Sequence, residues 1–347
     1  MDYNVLKALT ENEQGQMALA TIVKVSGSAP RHEGTQMLVR EDGSTTGTLG
    51  GGCGEDRVRM GALHVIEERK SQYIRVTLND DIAVREGMIC GGTMETFVEY
   101  LEDISFYEEA VRLVEEGKTA LLVTDMDEPS RKGLYLADGS LHMGEGFSLE
   151  EDIGRLIRGS RLKLKDRLIL APVLPSEKLL VLGGGHVALP IVQLGKNLDF
   201  EVTVVDDRPE FASPERFPEA DQVICGPFAK VLKEYPLDEN TYVVLVTRGH
   251  TWDGICLKAI LDRPWKYIGM IGSKRRVITL LSNLEEKGFD PERLDRIHSP
   301  IGLDIGSETP EEVAVSIMAE VIAVRRGKDD SFRRAPLPRK RKREKKE

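Results

Sequence analysis

The chain has 347 residues, 40 % of them hydrophobic and 31 % charged, with a net charge of −10. That length and balance suit a soluble protein of two domains, and no apolar run approaches the ~20 residues of a membrane span, so no membrane partner is expected. The last 17 residues hold nine Lys and Arg against two Glu, a surplus of seven that leaves −17 on the rest of the chain, an acidic surface that excludes nucleic acid as a partner.

The opening Met1-Asp2-Tyr3-Asn4-Val5 lacks the basic-then-apolar order of a secretory signal, and a cytoplasmic protein is expected. β-rich runs at 17–25 and 37–40 are closed by the turn Glu41-Asp42-Gly43-Ser44. Helical spacing (Val58, Ala62, Val65, Ile66) predicts a helix over 55–69. Strands follow at 73–78 and 93–101, a helix at 104–117 and a strand at 119–126. Ala137-Asp138-Gly139-Ser140 marks a hairpin, Ser148 with Glu151 a capping box for a helix over 149–158, and 167–174 a further strand. No internal repeat of 20–50 residues is visible. This half reads as an α+β domain over 1–174.

Pro172 and Pro175 mark a boundary, beyond which apolar strands alternate with amphipathic helices. The strands are at 179–182, 202–205, 222–224, 242–247 and 267–271, runs apolar enough for burial on both faces of a parallel sheet. The last helix is capped by Thr309, with Pro310 at N1 and Glu312 completing a capping box, and Val313, Ile317, Val321 and Val324 form one stripe. The fold class is therefore α/β: an N-terminal α+β domain, a C-terminal Rossmann-like doubly wound parallel sheet over 178–327, and a basic, disordered tail over 328–347.

Gly183, Gly184, Gly185, His186, Val187 and Ala188 carry G-x-G-x-x-A between a buried strand and a helix. Such a turn brings backbone N–H groups and a positive dipole end to a pyrophosphate. The next strand ends at Asp206, placed to accept a ribose hydroxyl, which favours NAD; Asp207 and Arg208 follow, and the arginine keeps NADP open. Thr247, Arg248, Gly249 and His250, and Gly272, Ser273 and Lys274, add two polar loops on the same sheet edge. No common dehydrogenase proton-transfer set is visible, leaving His186 and His250 as the donors a stand-alone NAD(P)-dependent oxidoreductase would use.

The N-terminal half has its own cluster. Ser28 and Arg31 lie in a polar loop between two strands, and Gly50, Gly51 and Gly52 run through Cys53 and Gly54 to Glu55. Consecutive glycines can form an anion nest, and a thiol at a helix N-terminus is biased toward the thiolate that ligates soft metals or carries sulfur. Cys90, before Gly91-Gly92, repeats the arrangement in smaller form, whereas Cys225 and Cys256 read as packing residues. No CxxC pair is present, so neither a zinc site nor a disulfide framework is expected.

Three blocks now make the sequence resemble the XdhC/CoxI family, accessory proteins that mature xanthine dehydrogenase and related molybdenum hydroxylases. They are Gly27-Ser28-Ala29-Pro30-Arg31 with Gly50 to Glu55; Leu182 to Val187 with Val204 to Arg208; and Tyr267 to Lys274 with Pro300 to Gly306 and Thr309 to Ser316. The resemblance implies a chaperone that binds molybdenum cofactor (molybdopterin), protects it during sulfuration by a partner cysteine desulfurase and delivers it to the apo-enzyme. Carried over by position, Cys53 and Cys90 would contact molybdenum or the transferred sulfur, in a catalytic or metal-ligating role. Ser28, Arg31 and the Gly50–Gly52 turn would hold the anionic pterin, with Glu55 also among the cofactor-binding residues. Gly54 stands where the family more usually has a branched residue. A homodimer is expected, and a nucleotide-gated regulator is a third possibility.

Overall fold

In the computed structural model, described for residues 3–11, 15–77, 92–158 and 162–328, the chain divides into two units, 1–175 and 176–347. Cys90 and the basic tail lie outside the described residues.

Unit 1 holds two antiparallel five-stranded sheets. Helix α1 (Tyr3–Thr10) precedes β1 (Met17–Ser26), β2 (Gln36–Arg40) and β3 (Thr45–Gly47); α2 (Gly52–Glu68) leads to β4 (Gln72–Thr77) and β5 (Thr93–Tyr100). Then α3 (Ser105–Glu115) precedes β6 (Ala120–Asp125), β7 (Lys132–Leu136) and β8 (Leu141–Gly144); α4 (Ile153–Arg158) leads to β9 (Lys163–Lys165) and β10 (Leu168–Val173). The strand orders, β3-β2-β1-β5-β4 and β8-β7-β6-β10-β9, are the same order twice.

Unit 1 is thus a tandem repeat of one αβββαββ motif, longer than the 20–50 residues over which the sequence shows none. Local detail agrees. In Asp42-Gly43-Ser44 the Ser44 amide donates to Asp42 Oδ1 at 2.8 Å, and in Asp138-Gly139-Ser140 the Ser140 amide donates to Asp138 Oδ1 at 2.9 Å. A Cβ on Gly47 would lie 2.6 Å from the Gln36 carbonyl, and one on Gly144 2.3 Å from the Lys132 carbonyl, so only glycine lets the third strand close on the second in either copy.

One core draws side chains from both sheets, among them Leu19, Leu38, Phe97, Leu122, Leu134 and Ile169, with α1 and α3 packed into it. Inside it Lys132 is ion-paired with Glu99, whose other oxygen accepts from Tyr107 at 3.0 Å. Burial, reinforced by the Glu99 charge, pushes the Tyr107 hydroxyl far above its ordinary value. The outer faces are covered by α2 on the first sheet and α4 on the second. Helix α4 starts later than expected: Asp152 accepts from the Arg155 amide at 2.7 Å, while Glu150 and Glu151, part of the expected capping segment, pair with Lys165 and Lys163.

Unit 2 is a parallel sheet of five strands, β11 (Lys178–Leu182), β12 (Glu201–Asp206), β13 (Gln222–Cys225), β14 (Thr241–Leu245) and β15 (Tyr267–Met270), in the order β13-β12-β11-β14-β15. Helices α5 (Ala188–Asn197) and α10 (Pro310–Arg325) cover one face. The other is covered by α6 (Phe228–Glu234), α7 (His250–Ile260) and α8 (Lys274–Glu286), with α9 (Pro291–Asp295) beyond α8. Strands β11, β14 and β15 are buried on both faces, as their unbroken apolar runs require. The capping box at Thr309 and Glu312 forms as expected.

Candidate functional site

In unit 1 three glycine-bearing segments meet. Gly50 has φ +118° and packs so closely on Pro30 that a Cβ would lie 2.4 Å from its Cγ. Gly92, at the head of β5, is as close to the 26–28 loop: a Cβ there would lie 2.3 Å from the Ser28 carbonyl oxygen. The loop carrying Ser28 and Arg31, both exposed, is therefore flanked by the two glycine segments that follow or contain the expected cysteines.

Helix α2 begins at Gly52, three residues before the expected start, and this puts Cys53 in its first turn with a partly exposed thiol. Gly54, in the same turn, is buried. The anion nest already holds an anion: one Glu55 carboxylate oxygen accepts from the Leu49 amide at 2.7 Å, the Gly51 amide at 3.0 Å and the Thr48 hydroxyl. The Gly50 amide donates to Thr48 Oγ1 at 3.1 Å. Burial raises the Glu55 carboxyl, but these donors outweigh it and hold the group below its ordinary 4.5. Glu55 is thus a brace that fixes the turn, a role its place in the sequence does not reveal. A ligand would meet the loop's outer side, where a Cβ on Gly51 would touch nothing. Among the described residues no three His, Cys, Asp or Glu come together as a metal cage.

In unit 2 the candidate residues gather at the carboxyl edge of the sheet. The helix after β11 lies on one face and the helix after β14 on the other, so the turns Gly183–Val187 and Thr247–Gly249 sit at the switch point where such sheets open a crevice. A Cβ on Gly183 (φ +110°) would lie 2.6 Å from the Val246 carbonyl, so glycine lets the turns touch. His186 is exposed in its turn, His250 opens α7, and Gly272, Ser273 and Lys274 lead into α8 at the neighbouring strand.

Asp206 differs from expectation. It is 2 % exposed, and its oxygens accept from the Gly184 amide (2.8 Å), the Arg208 amide (3.0 Å) and both arms of the Arg208 guanidinium (2.9 Å each). Burial raises this carboxyl, yet Arg208 and the amides prevail and keep it below its ordinary 3.8. Arg208 lies over the Phe211 ring at 3.7 Å, and Asp207 pairs with Arg248 at 2.9 Å. The two other cysteines part ways: Cys256 is fully buried as expected, but Cys225 is exposed, because β13 is the edge strand of the sheet.

Comparison with known proteins fits this architecture. A family model described as the XdhC Rossmann domain matches residues 179–321, and one described as the XdhC and CoxI family matches 11–78. A Bacillus subtilis (strain 168) protein named as a probable subunit of xanthine dehydrogenase is 30 % identical over 332 residues, covering 93 % of this chain and 97 % of its own. Molybdenum cofactor insertion chaperone PaoD of Escherichia coli (strain K12) is 24 % identical, covering 88 % of this chain and 83 % of its own. A Bacillus halodurans crystal structure described as a xanthine dehydrogenase superposes with a TM-score of 0.78 at 28 % identity, over 93 % of this chain and 95 % of that one. With both units matched by name and a relative at 30 % identity covered end to end, the chain belongs to the XdhC and CoxI family.

Proposed function

We propose that this protein is an accessory factor that binds molybdenum cofactor as cargo, holds it while a cysteine desulfurase supplies the terminal sulfur, and hands it to an apo molybdenum hydroxylase. The observation that carries this function is the partly exposed Cys53 thiol in the first turn of α2, beside a glycine turn braced from behind by Glu55 and packed on the Ser28–Arg31 loop. A braced loop holds its thiol at a fixed position without closing over it, as a carrier that must release its cargo requires. The exposed Arg31 supplies positive charge for an anionic pterin phosphate. Cys53 contributes one soft ligand or sulfur-accepting group. Cys90 is the second thiol of the same proposal.

A stand-alone oxidoreductase would need an open dinucleotide seat, and the Asp206 contacts argue against one. The test is production in a molybdenum-replete host. The purified protein should carry pterin fluorescence and molybdenum, and Cys53→Ala should lose most of both while keeping the wild-type melting temperature. Absence of pterin from the wild type, with carbonyl-dependent NADH oxidation instead, would sink the proposal.

A further inference from the structure

A Rossmann turn leads one to expect NAD(P), and the side chains around this turn do not fit that group. We propose that the dinucleotide seat of unit 2 is closed by the chain's own residues, so that it takes neither NAD(H) nor NADP(H) while Asp206 and Arg208 hold each other. This holds whatever the cargo of unit 1.

A carboxylate offers about four lone-pair sites. Asp206 has four donors on them, two on each oxygen: the Arg208 amide and Nε on Oδ1, and the Gly184 amide and an Arg208 terminal nitrogen on Oδ2. A ribose hydroxyl would find no free lone pair and, at 2 % exposure, no access. Displacing the donors would break a bidentate charge-assisted pair, among the strongest of side-chain contacts. The same pair works against NADP, because the edge of the guanidinium that would accept a 2′-phosphate is turned onto Asp206 and its carbon is held 3.7 Å over the Phe211 ring.

Phe211 completes the plug. Its carbonyl oxygen would lie 1.9 Å from a Cβ on Gly184, so its backbone stands directly against the fingerprint turn. Arg216 donates to the Gly184 carbonyl at 3.0 Å, with its guanidinium carbon 5.1 Å from the centre of the Phe211 ring. The Asp207–Arg248 pair joins the loops that follow β12 and β14, the strands on either side of β11, and so bridges the mouth above the glycine turn. Gly183 and Gly184 serve close packing of the chain on itself, whereas Gly185 and Gly249 face open space.

The test is titration of the full-length protein with NADH and NADPH, followed by nucleotide fluorescence and calorimetry. The wild type should show no saturable binding up to about 1 mM, where the binding energy is only about 4 kcal/mol. Arg208→Ala frees the carboxylate, and Phe211→Ala opens the turn; at least one of the two should bind NADH tenfold or more tighter than the wild type. Saturable binding of either nucleotide by the wild type with a Kd below about 1 mM overturns the proposal, a result that needs no variant to fold. It is equally overturned if both variants melt as cooperatively as the wild type and still bind nothing.

Discussion

Replacing Lys132 by Met tests how unit 1 is held together. The Lys132 and Glu99 side chains are 4 % and 6 % exposed, and they join a strand of the second sheet to a strand of the first. Methionine keeps the aliphatic length, so the packing loss is small. What remains is a Glu99 oxygen and the Pro129 carbonyl, both stripped of the ammonium that donates to them. Breaking one side of a buried pair costs about 3–5 kcal/mol, because the surviving charge is left in the core. For a unit of this size that lowers the melting temperature by about 6–20 °C. Far-UV circular dichroism should register the loss, while both tryptophans, Trp252 and Trp265, lie in unit 2 and report on that unit separately. The double variant Lys132→Met/Glu99→Gln keeps an acceptor for Tyr107 and removes the orphan charge, so it should recover most of the loss. A single-variant loss under about 1 kcal/mol, or a double variant no better than the single, would refute the reasoning.

Other expectations are narrower. Gly50→Ala forces a side chain onto Pro30 at positive φ; it should cost about 1–3 kcal/mol of local order and lower pterin retention more than it lowers the melting temperature. Thr309→Ala removes the hydroxyl that accepts from the Glu312 amide and should destabilise unit 2 by about 1 kcal/mol in urea unfolding, whereas Thr309→Ser should cost little. Acid should weaken both units. The Glu55 and Asp206 carboxyls sit below their ordinary 4.5 and 3.8, so the stability they lend is present above those values and drains away as pH falls through the lowered folded ones. Glu109 extends that window to about 2, because Arg112 and His142 hydrogen-bond its charged form. Asp206→Asn should therefore flatten the pH dependence of unit 2 below pH 4, and an unchanged slope would contradict the assignment.

Much of unit 2 is legible in the sequence, because strands buried on both faces leave continuous apolar runs and because the last helix carries its cap, its Pro310 and its stripe in plain order. Asp206 is legible as a position and not as a partner. Whether an acid at a strand end faces a ligand or a neighbour depends on where a guanidinium two residues on is turned, and that is decided by Phe211, whose packing no local pattern records. The duplication in unit 1 is hidden for another reason. Strands β3, β8 and β9 have three or four residues each, too short for alternation to declare itself. The copies share the Asp-Gly-Ser turn and the glycine that closes the third strand, Gly47 in one and Gly144 in the other, spaced differently from that turn. The sequence puts Cys53 close to its true position, and the difference of three residues at the start of α2 arises because Gly52 and Cys53 read as loop, although a first turn tolerates glycine.

The doubled motif has a consequence for how unit 1 can vary. Two copies that would otherwise have to find each other in solution are joined by one chain, so their association no longer depends on concentration. One copy carries the glycine turn and Cys53; at the matching place, between β8 and α4, the other runs through Gly146, Phe147 and Ser148 without a thiol. On the proposed function, the second half of unit 1 is a permanent partner relieved of chemistry. Substitutions there should be felt as changes in stability alone, and the Lys132–Glu99 bond marks the seam at which the two halves have ceased to be interchangeable: the residue in the first copy that matches Lys132 is the neutral Gln36.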